Sequence, residues 1–323
     1  MKILITRLLA ILLLGTFSVS VASAGVQPIY ECGTVITEPG NYKLIADLVD
    51  CPDGGVHIVA SGVRLDLDGH TITCATNDKL IGGVVVGMEE GPVTKKVTVR
   101  NGSVSNCKDG IALLNVEDSK VTRIAAYGNI LWGDAEGVGI LVAWSSNNTV
   151  MHNHTYGNAV DGIFTFESSN NVYKHNLSTD HWAGSGIWMV GETDSKVMCN
   201  ETYRNYTGVA LGPDSTGNLV RGNAATGNYD GLAAYGYAWD GFFWQDIPFD
   251  NVFLKNAASG NYFFDLVEIY FDLATWDYLL HPANECQNTW MKNDFGTALG
   301  PVGCLDYSVG LDDDVCALEE EDD

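Results

Sequence analysis

Short apolar runs closed by asparagine set the pattern of this chain. "NNTVMHN" (147–153), "NNVYKHN" (170–176) and "NLVRGN" (218–223) share one grammar. A small polar residue or lysine is followed five positions later by Asn, with alternating apolar residues between. Seven segments end this way, at 101, 153, 176, 200, 223, 256 and 293. "SKVTRI" (119–124) keeps the pattern except at its last residue. Successive end points differ by 23, 29, 23, 24, 23, 33 and 37 residues, a unit of 23 or 24 with insertions. A second landmark keeps the same step: Gly followed by a branched apolar residue at Gly110, Gly139, Gly162, Gly186, Gly208 and Gly231. The residues between are β-branched or aromatic, and the borders are Asn, Gly, Asp and Ser. That pattern predicts short strands and turns. Nothing recurs at the helical period.

Several short strands in a unit of this length predict a parallel β-helix in which each unit is one coil. Coils lie about 4.8 Å apart, so equivalent residues stack into columns. An Asn at the same bend of every coil forms an internal ladder, its amide satisfying backbone groups and the neighbouring Asn. The asparagines are then architecture. "NHT" (153–155), "NLS" (176–178) and "NET" (200–202) match the glycosylation sequon but are expected to be poor acceptors.

Composition adds a compartment. Lys2 and Arg7, the apolar run 8–17 and "ASA" (22–24) read as a secretory signal peptide over 1–24. No later segment is apolar for long enough to span a membrane. All eight cysteines follow that cut and none forms a CxxC pair, which favours disulfides over a zinc or redox motif. The expected location is secreted or periplasmic. The formal charge is −24, and 8 of the 41 acidic residues fall in the tail at 312–323. So acidic a chain repels nucleic acid, which requires clustered Lys and Arg.

From "LDLDGHTIT" (65–73) to "NTWMKNDFGT" (288–297) the chain resembles the right-handed parallel β-helix proteins of the pectin-lyase-like superfamily. "CGTVITEPGNYKLIADLVDC" (32–51) resembles the N-terminal cap of secreted members. The resemblance implies an all-β solenoid of about nine to ten coils, divided as follows: a disulfide-closed cap at 25–60, the helix at 61–305 and an acidic tail at 306–323. The superfamily holds polysaccharide lyases, hydrolases, uronate epimerases, tailspikes and noncatalytic proteins, so the fold alone does not name an activity. In this register Cys74 and Cys107 each lie five residues after an equivalent turn glycine, Gly69 and Gly102, within bonding reach. Cys32–Cys51 would close the cap and Cys286–Cys304 a C-terminal loop. Cys199 and Cys316 would pair if the tail folds back.

Candidate chemistry lies in insertions and columns. One insertion is 130–136. The aromatic insertions 236–250 and 266–282 form either a lid or a groove wall, and the second has the option of a short helix. Two residues after the repeat Gly, Leu141, Phe164 and Trp188 form an expected exposed apolar strip. Glu167, Glu192 and Asp214 form an acidic column, read either as turn residues or as a carboxylate pair; calcium binding is a third use. Asn158, Asp180, Asn205, Asn228 and Asn261 fall at one position, with Ala159, His181, Tyr206, Tyr229 and Tyr262 after them. Asp180-His181-Trp182 breaks that series, and Asp161 lies nearby on the previous coil. An Asp–His pair there is a candidate general base. The residue before the ladder Asn is basic in six of eight units: Arg100, Arg123, His152, His175, Lys255 and Lys292. That column fits an acidic polymer, and its histidines a metal.

Two readings follow. One is a polysaccharide-active lyase, epimerase or hydrolase using Asp161, Asp180 and His181, then Glu167, Glu192 and Asp214. Trp182, Phe164, Trp188, Trp239 and Tyr206 would hold sugar rings. The other is a noncatalytic envelope or surface protein that binds glycan or protein. A periplasmic metal-handling role is a minor third reading. GxSxG, HExxH and P-loop motifs are missing, as are the polygalacturonase Asp-Asp with Gly-His-Gly and the calcium aspartates of pectate lyases. No cofactor is evident.

Overall fold

The computed structural model describes residues 25–75, 82–130, 137–239, 242–245, 247–272, 277–279, 286–300 and Cys316. The expected signal peptide, most of the 130–136 insertion, Cys304 and nearly all of the acidic tail lie outside these residues. Each coil contributes three short strands to three flat faces. The first two faces are continuous where Thr98–Ser105 and Lys120–Tyr127 bend from one to the other, making a 19-stranded sheet. The third face belongs to a 13-stranded sheet. Pairing between coils is parallel throughout, and ten coils with all three strands follow an incomplete first turn. The N-terminal segment, closed by Cys32–Cys51, is continuous with the solenoid. Gly40–Leu44 and Val56–Ile58 pair in parallel with the coils that follow.

The glycine landmark sets the inner register of the third face. Ile111, Ile140, Ile163, Ile187, Val209, Leu232 and Leu266 stack one above another, all fully buried. The preceding glycines are obligatory because a Cβ there would strike the next coil. At Gly162 it would lie 1.9 Å from Ser178 Oγ and 2.6 Å from the Gly186 carbonyl oxygen. On the first face the core column widens to Phe253 and Trp290, stacked at 3.7 Å.

Ladders of buried side chains occupy all three bends. Asn153, Asn176, Asn200, Asn223, Asn256 and Asn293 form the ladder between the first and second faces. In each step the Oδ1 of one Asn accepts both the backbone N–H and the side-chain amide of the Asn before it. Asn200 also donates to the Tyr173 carbonyl at 2.8 Å. Asn148, Asn171, Ser195, Asn218, Asn251 and Asn288 form a second ladder before the first face, in which Ser195 Oγ accepts the Asn171 N–H while the Asn171 amide turns to Glu192 and the Ser145 carbonyl. The sequon asparagines 153, 176 and 200 are therefore buried and fully engaged.

The basic column has a backbone explanation. Arg123, His152, His175, Cys199, Gly222, Lys255 and Lys292 all take left-handed φ between 53° and 66°, turning the chain into the ladder residue. Arg100 does not belong to it. It pairs with Thr122 inside a strand and forms an ion pair with Asp66, while Asn101 takes the left-handed position. Asn101 is thus one residue out of the ladder that its sequence motif suggested.

The ends are tied covalently. Cys32–Cys51 and Cys74–Cys107 form as expected, with Cα separations of 5.3 and 4.8 Å. Cys199 bonds Cys316 at a Cα separation of 5.7 Å. The two aromatic insertions extend the third face. Asp230–Trp239 runs on past the coil and returns through Phe242–Gln245, and Phe264–Asp272 returns through Asp277–Leu279. The helical option is therefore overturned for the described residues 266–272 and 277–279, which are strands. Leu266 to Tyr270 are buried on both sides of the strand, which an extended chain satisfies by pairing with Leu232–Gly236. Glu268 turns inward, where it accepts from the Gln287 N–H (2.7 Å) and from Trp290 Nε1 (2.5 Å), fastening the return of the chain after the insertion.

Replacing a mid-ladder asparagine strands several buried groups at once. Asn200→Ala is expected to lower the unfolding free energy by about 2–4 kcal/mol. Urea unfolding of the two proteins measures it. Intact mass after expression in a glycosylating host should show no sugar on Asn153, Asn176 or Asn200.

Candidate functional site

The residue just before each repeat glycine begins a column along one edge of the third face. In chain order it reads Asp109, Val138, Asp161, Ser185, Thr207 and Asp230, all buried or nearly so. Three residues further on, the expected outward strip is present in part. Leu141, Phe164 and Trp188 are half-buried, and Ala112, Ala210 and Ala233 are covered. Trp188 and Tyr235 pack over Ala210 and Ala233.

Between column and strip runs a groove with two cavities that share Val160, Asp161 and Trp188. One, of about 380 Å³, reaches Lys108, Asp109, Leu141 and Phe164. The other, of about 230 Å³, is walled by Tyr206, Tyr235 and Tyr237. The Tyr235 hydroxyl donates to Asp230 Oδ2 (2.5 Å), which fixes one wall. Asp161 is 6 % exposed and accepts one hydrogen bond, from the Ser185 N–H to Oδ1 at 2.6 Å. Burial pushes its carboxyl up to about 7, against the lowering effect of that bond. Burial and the nearby Asp161 charge raise Tyr237.

The expected Asp161–Asp180–His181 constellation does not form. His181, not Asp180, takes the ladder position shared with Asn158, Asn205 and Asn228, and is 0 % exposed. Its Nδ1 accepts the Asn158 N–H (3.2 Å), so Nε2 carries the proton toward Ser178 Oγ (3.1 Å). Burial lowers it to about 4, and it is neutral. Asp180 moves to the left-handed position before it, φ 63°, beside Arg204. The Arg204 guanidinium grips both its oxygens, at 2.5 and 2.7 Å, and holds its carboxyl below the usual range. That pair is solvent-exposed and adds little to stability.

The acidic column also divides. Glu192 stacks with Ser145, Ser168 and Ser215 and points into the core. There its Oε1 accepts from Asn171, Tyr173 and Ser195, and burial raises its carboxyl. Glu167 and Asp214 stay outside in left-handed turns and flank a separate polar cavity of about 500 Å³. Trp144 Nε1 donates to Glu167 at 2.9 Å. No three Asp, Glu, His or Cys side chains among the described residues come together as a metal site.

Of the expected sugar-holding aromatics, Phe164, Trp188 and Tyr206 line the groove. Trp182 is 71 % exposed and outside its lining, and the Trp239 side chain lies outside the described residues. Asp109, Lys108, Tyr235 and Tyr237 were missed. A signal for Asp109 was present: three of six residues preceding a repeat glycine are aspartate.

Burial of these groups makes stability depend on pH from both sides. His181 is depressed, so its contribution is complete above pH 6.5 and is lost as pH falls through about 4. Asp161 is raised, so its contribution is complete below 3.8 and is lost as pH rises through about 7, with Glu192 and Glu268 acting in the same sense. The expected stability profile is a bell. His181→Asn, which restores the ladder amide, should flatten the acid limb by roughly 2–3 kcal/mol. Asp161→Asn should flatten part of the alkaline limb. Chemical denaturation from pH 4 to 9 reads both.

Comparison with known proteins agrees with the fold. A model of the right-handed β-helix region matches residues 53–200. The structure resembles an aspartate-to-alanine mutant of the periplasmic alginate epimerase AlgG (TM-score 0.51, 15% identity) over 72% of this chain and 67% of that one. It also resembles DFA-IIIase from Arthrobacter chlorophenolicus A6 without its lid (TM-score 0.50, 12% identity) over 85% and 78%. At such identities the likeness is one of fold. A search of curated proteins found no match.

Proposed function

From a right-handed parallel β-helix of pectin-lyase-like fold with this groove, we infer that the protein is an exported polysaccharide-active enzyme, with Asp161 as its proton donor. One observation carries the reading. A buried carboxyl with a single hydrogen bond forms the floor of an aromatic-walled groove. Trp188, Tyr206 and Tyr237 offer apolar ring surface and hydroxyls, the combination that holds sugar rings. A carboxyl titrating near 7 is half protonated at neutral pH, which suits transfer of a proton to a leaving oxygen. The groove runs along the coil axis, so it suits an extended glycan. The three disulfides among the described residues support an oxidising compartment.

Cleavage of the glycosidic bond fits better than abstraction of a carbon-bound proton. The groove lining supplies a partly protonated carboxyl at Asp161 and a second aspartate, Asp109, beside Lys108 and the tyrosines. One feature favours noncatalytic glycan binding instead: Trp188 and Tyr235 close over the strip like a fixed lid.

Mass spectrometry of products from polygalacturonate, alginate, xylan, glucan, mannan and fructan tests the choice. Water-added fragments are expected from one of them. Asp161→Asn should lower the rate by about 10²–10⁴. His181→Asn should leave it within a few-fold, because that ring faces the core. Unsaturated fragments would replace hydrolysis with elimination, and binding without products would favour the noncatalytic reading.

A further inference from the structure

Asp109 and Asp161 occupy the same column with Val138 between them, and both line the 380 Å³ cavity. Two coil steps separate their backbones by about 9.6 Å. The intervening residue is apolar and carries no competing carboxyl. We propose that Asp109 is the second catalytic carboxylate of this groove and that the protein hydrolyses its glycan with inversion at the anomeric carbon. This rests on the reading of Asp161 as proton donor.

The separation decides the stereochemistry. A nucleophilic carboxylate in a retaining enzyme stands about 5 Å from the acid, the span of a single coil step. An inverting pair stands about 6.5–9.5 Å apart, leaving room for water. A two-coil step, about 9.6 Å, stands at the upper end of that range, and both carboxyls line the same cavity. The neighbours of Asp161 one coil away are Val138 and Ser185, neither of them an acid. Asp230 is three steps off, about 14 Å, and is held by Tyr235.

In the reaction, the Asp161 carboxyl gives its proton to the glycosidic oxygen as the bond from that oxygen to the anomeric carbon breaks. A water on the opposite face of the ring adds its oxygen to the carbon and gives a proton to the Asp109 carboxylate. The products are two saccharides, with one water consumed. Afterwards Asp109 is protonated and Asp161 ionised, and exchange with solvent resets both.

The test uses the full mature chain and the polymer in the panel above that yields water-added products. Proton NMR within the first turnovers should show the new reducing end in the inverted configuration. Asp109→Asn should lower the rate by at least 10²-fold on both the polymer and the matching dinitrophenyl glycoside. Asp161→Asn should lose the polymer but keep most of its rate on the dinitrophenyl glycoside, whose leaving group needs no proton. Retention of configuration, or Asp109→Asn within tenfold of wild type, overturns the pair and leaves Asp161 as donor. Wild type that cleaves none of the polymers overturns the parent reading and the pair with it. The NMR result comes from wild type, so it stands even if Asp109→Asn folds poorly.

Discussion

Every bend of a solenoid takes backbone amides out of regular pairing and buries them. An unpaired buried N–H costs about as much as a lost hydrogen bond or more. Side-chain carboxamides solve this because each has an acceptor and two donors. Asn176 shows the full arrangement: it accepts twice from Asn153, and donates to the Val150 carbonyl and to Asn200. The ladder allows left-handed residues at each turn, fixes the coil step and puts the third face in register. Alignment of Asp109, Val138 and Asp161 along one groove follows from that step.

The fold was legible because a ladder must repeat in sequence if it is to repeat in space. The 23-residue step and the Gly landmark gave the faces and the inner columns, the turn glycines Gly69 and Gly102 gave Cys74–Cys107, and the resemblance to an N-terminal cap gave Cys32–Cys51. What failed was phase. Asn101 and Asp180 were each placed one residue away from where they lie, and a single residue decides whether a side chain faces core or solvent. At Asp180 the error moved the candidate base. A histidine can replace asparagine in the ladder, since Nδ1 accepts an N–H as Oδ1 does, and the pattern looked broken where it was only substituted. The acidic column failed for the same reason. Glu192 fills a serine position and satisfies Asn171, Tyr173 and Ser195 from within the core.

The groove was harder to see because its walls come from different levels of the stack. Asp161, Trp188, Tyr206 and Tyr237 lie on successive coils, and 76 residues of sequence separate the first from the last. Tyr235 and Tyr237 reach it because their strand outruns its coil, a feature of strand length that composition does not report. Asp161 stood out only as a neighbour of His181. Its own environment marks it more strongly: a buried carboxyl that takes one hydrogen bond, from the Ser185 N–H, and lines an aromatic-walled groove.

Solenoids ordinarily unravel from their termini, where a coil has a neighbour on one side only. Here Cys32–Cys51 stitches the first turn, and Cys199–Cys316 closes a covalent ring across a sequence separation of 117. The last coils cannot peel away in sequence without carrying a covalent loop anchored three coils back. Proteases that attack frayed ends therefore meet a chain whose ends are hemmed. A nick within the ring leaves its pieces attached, so the coils it spans would lose shape more slowly than they are cut.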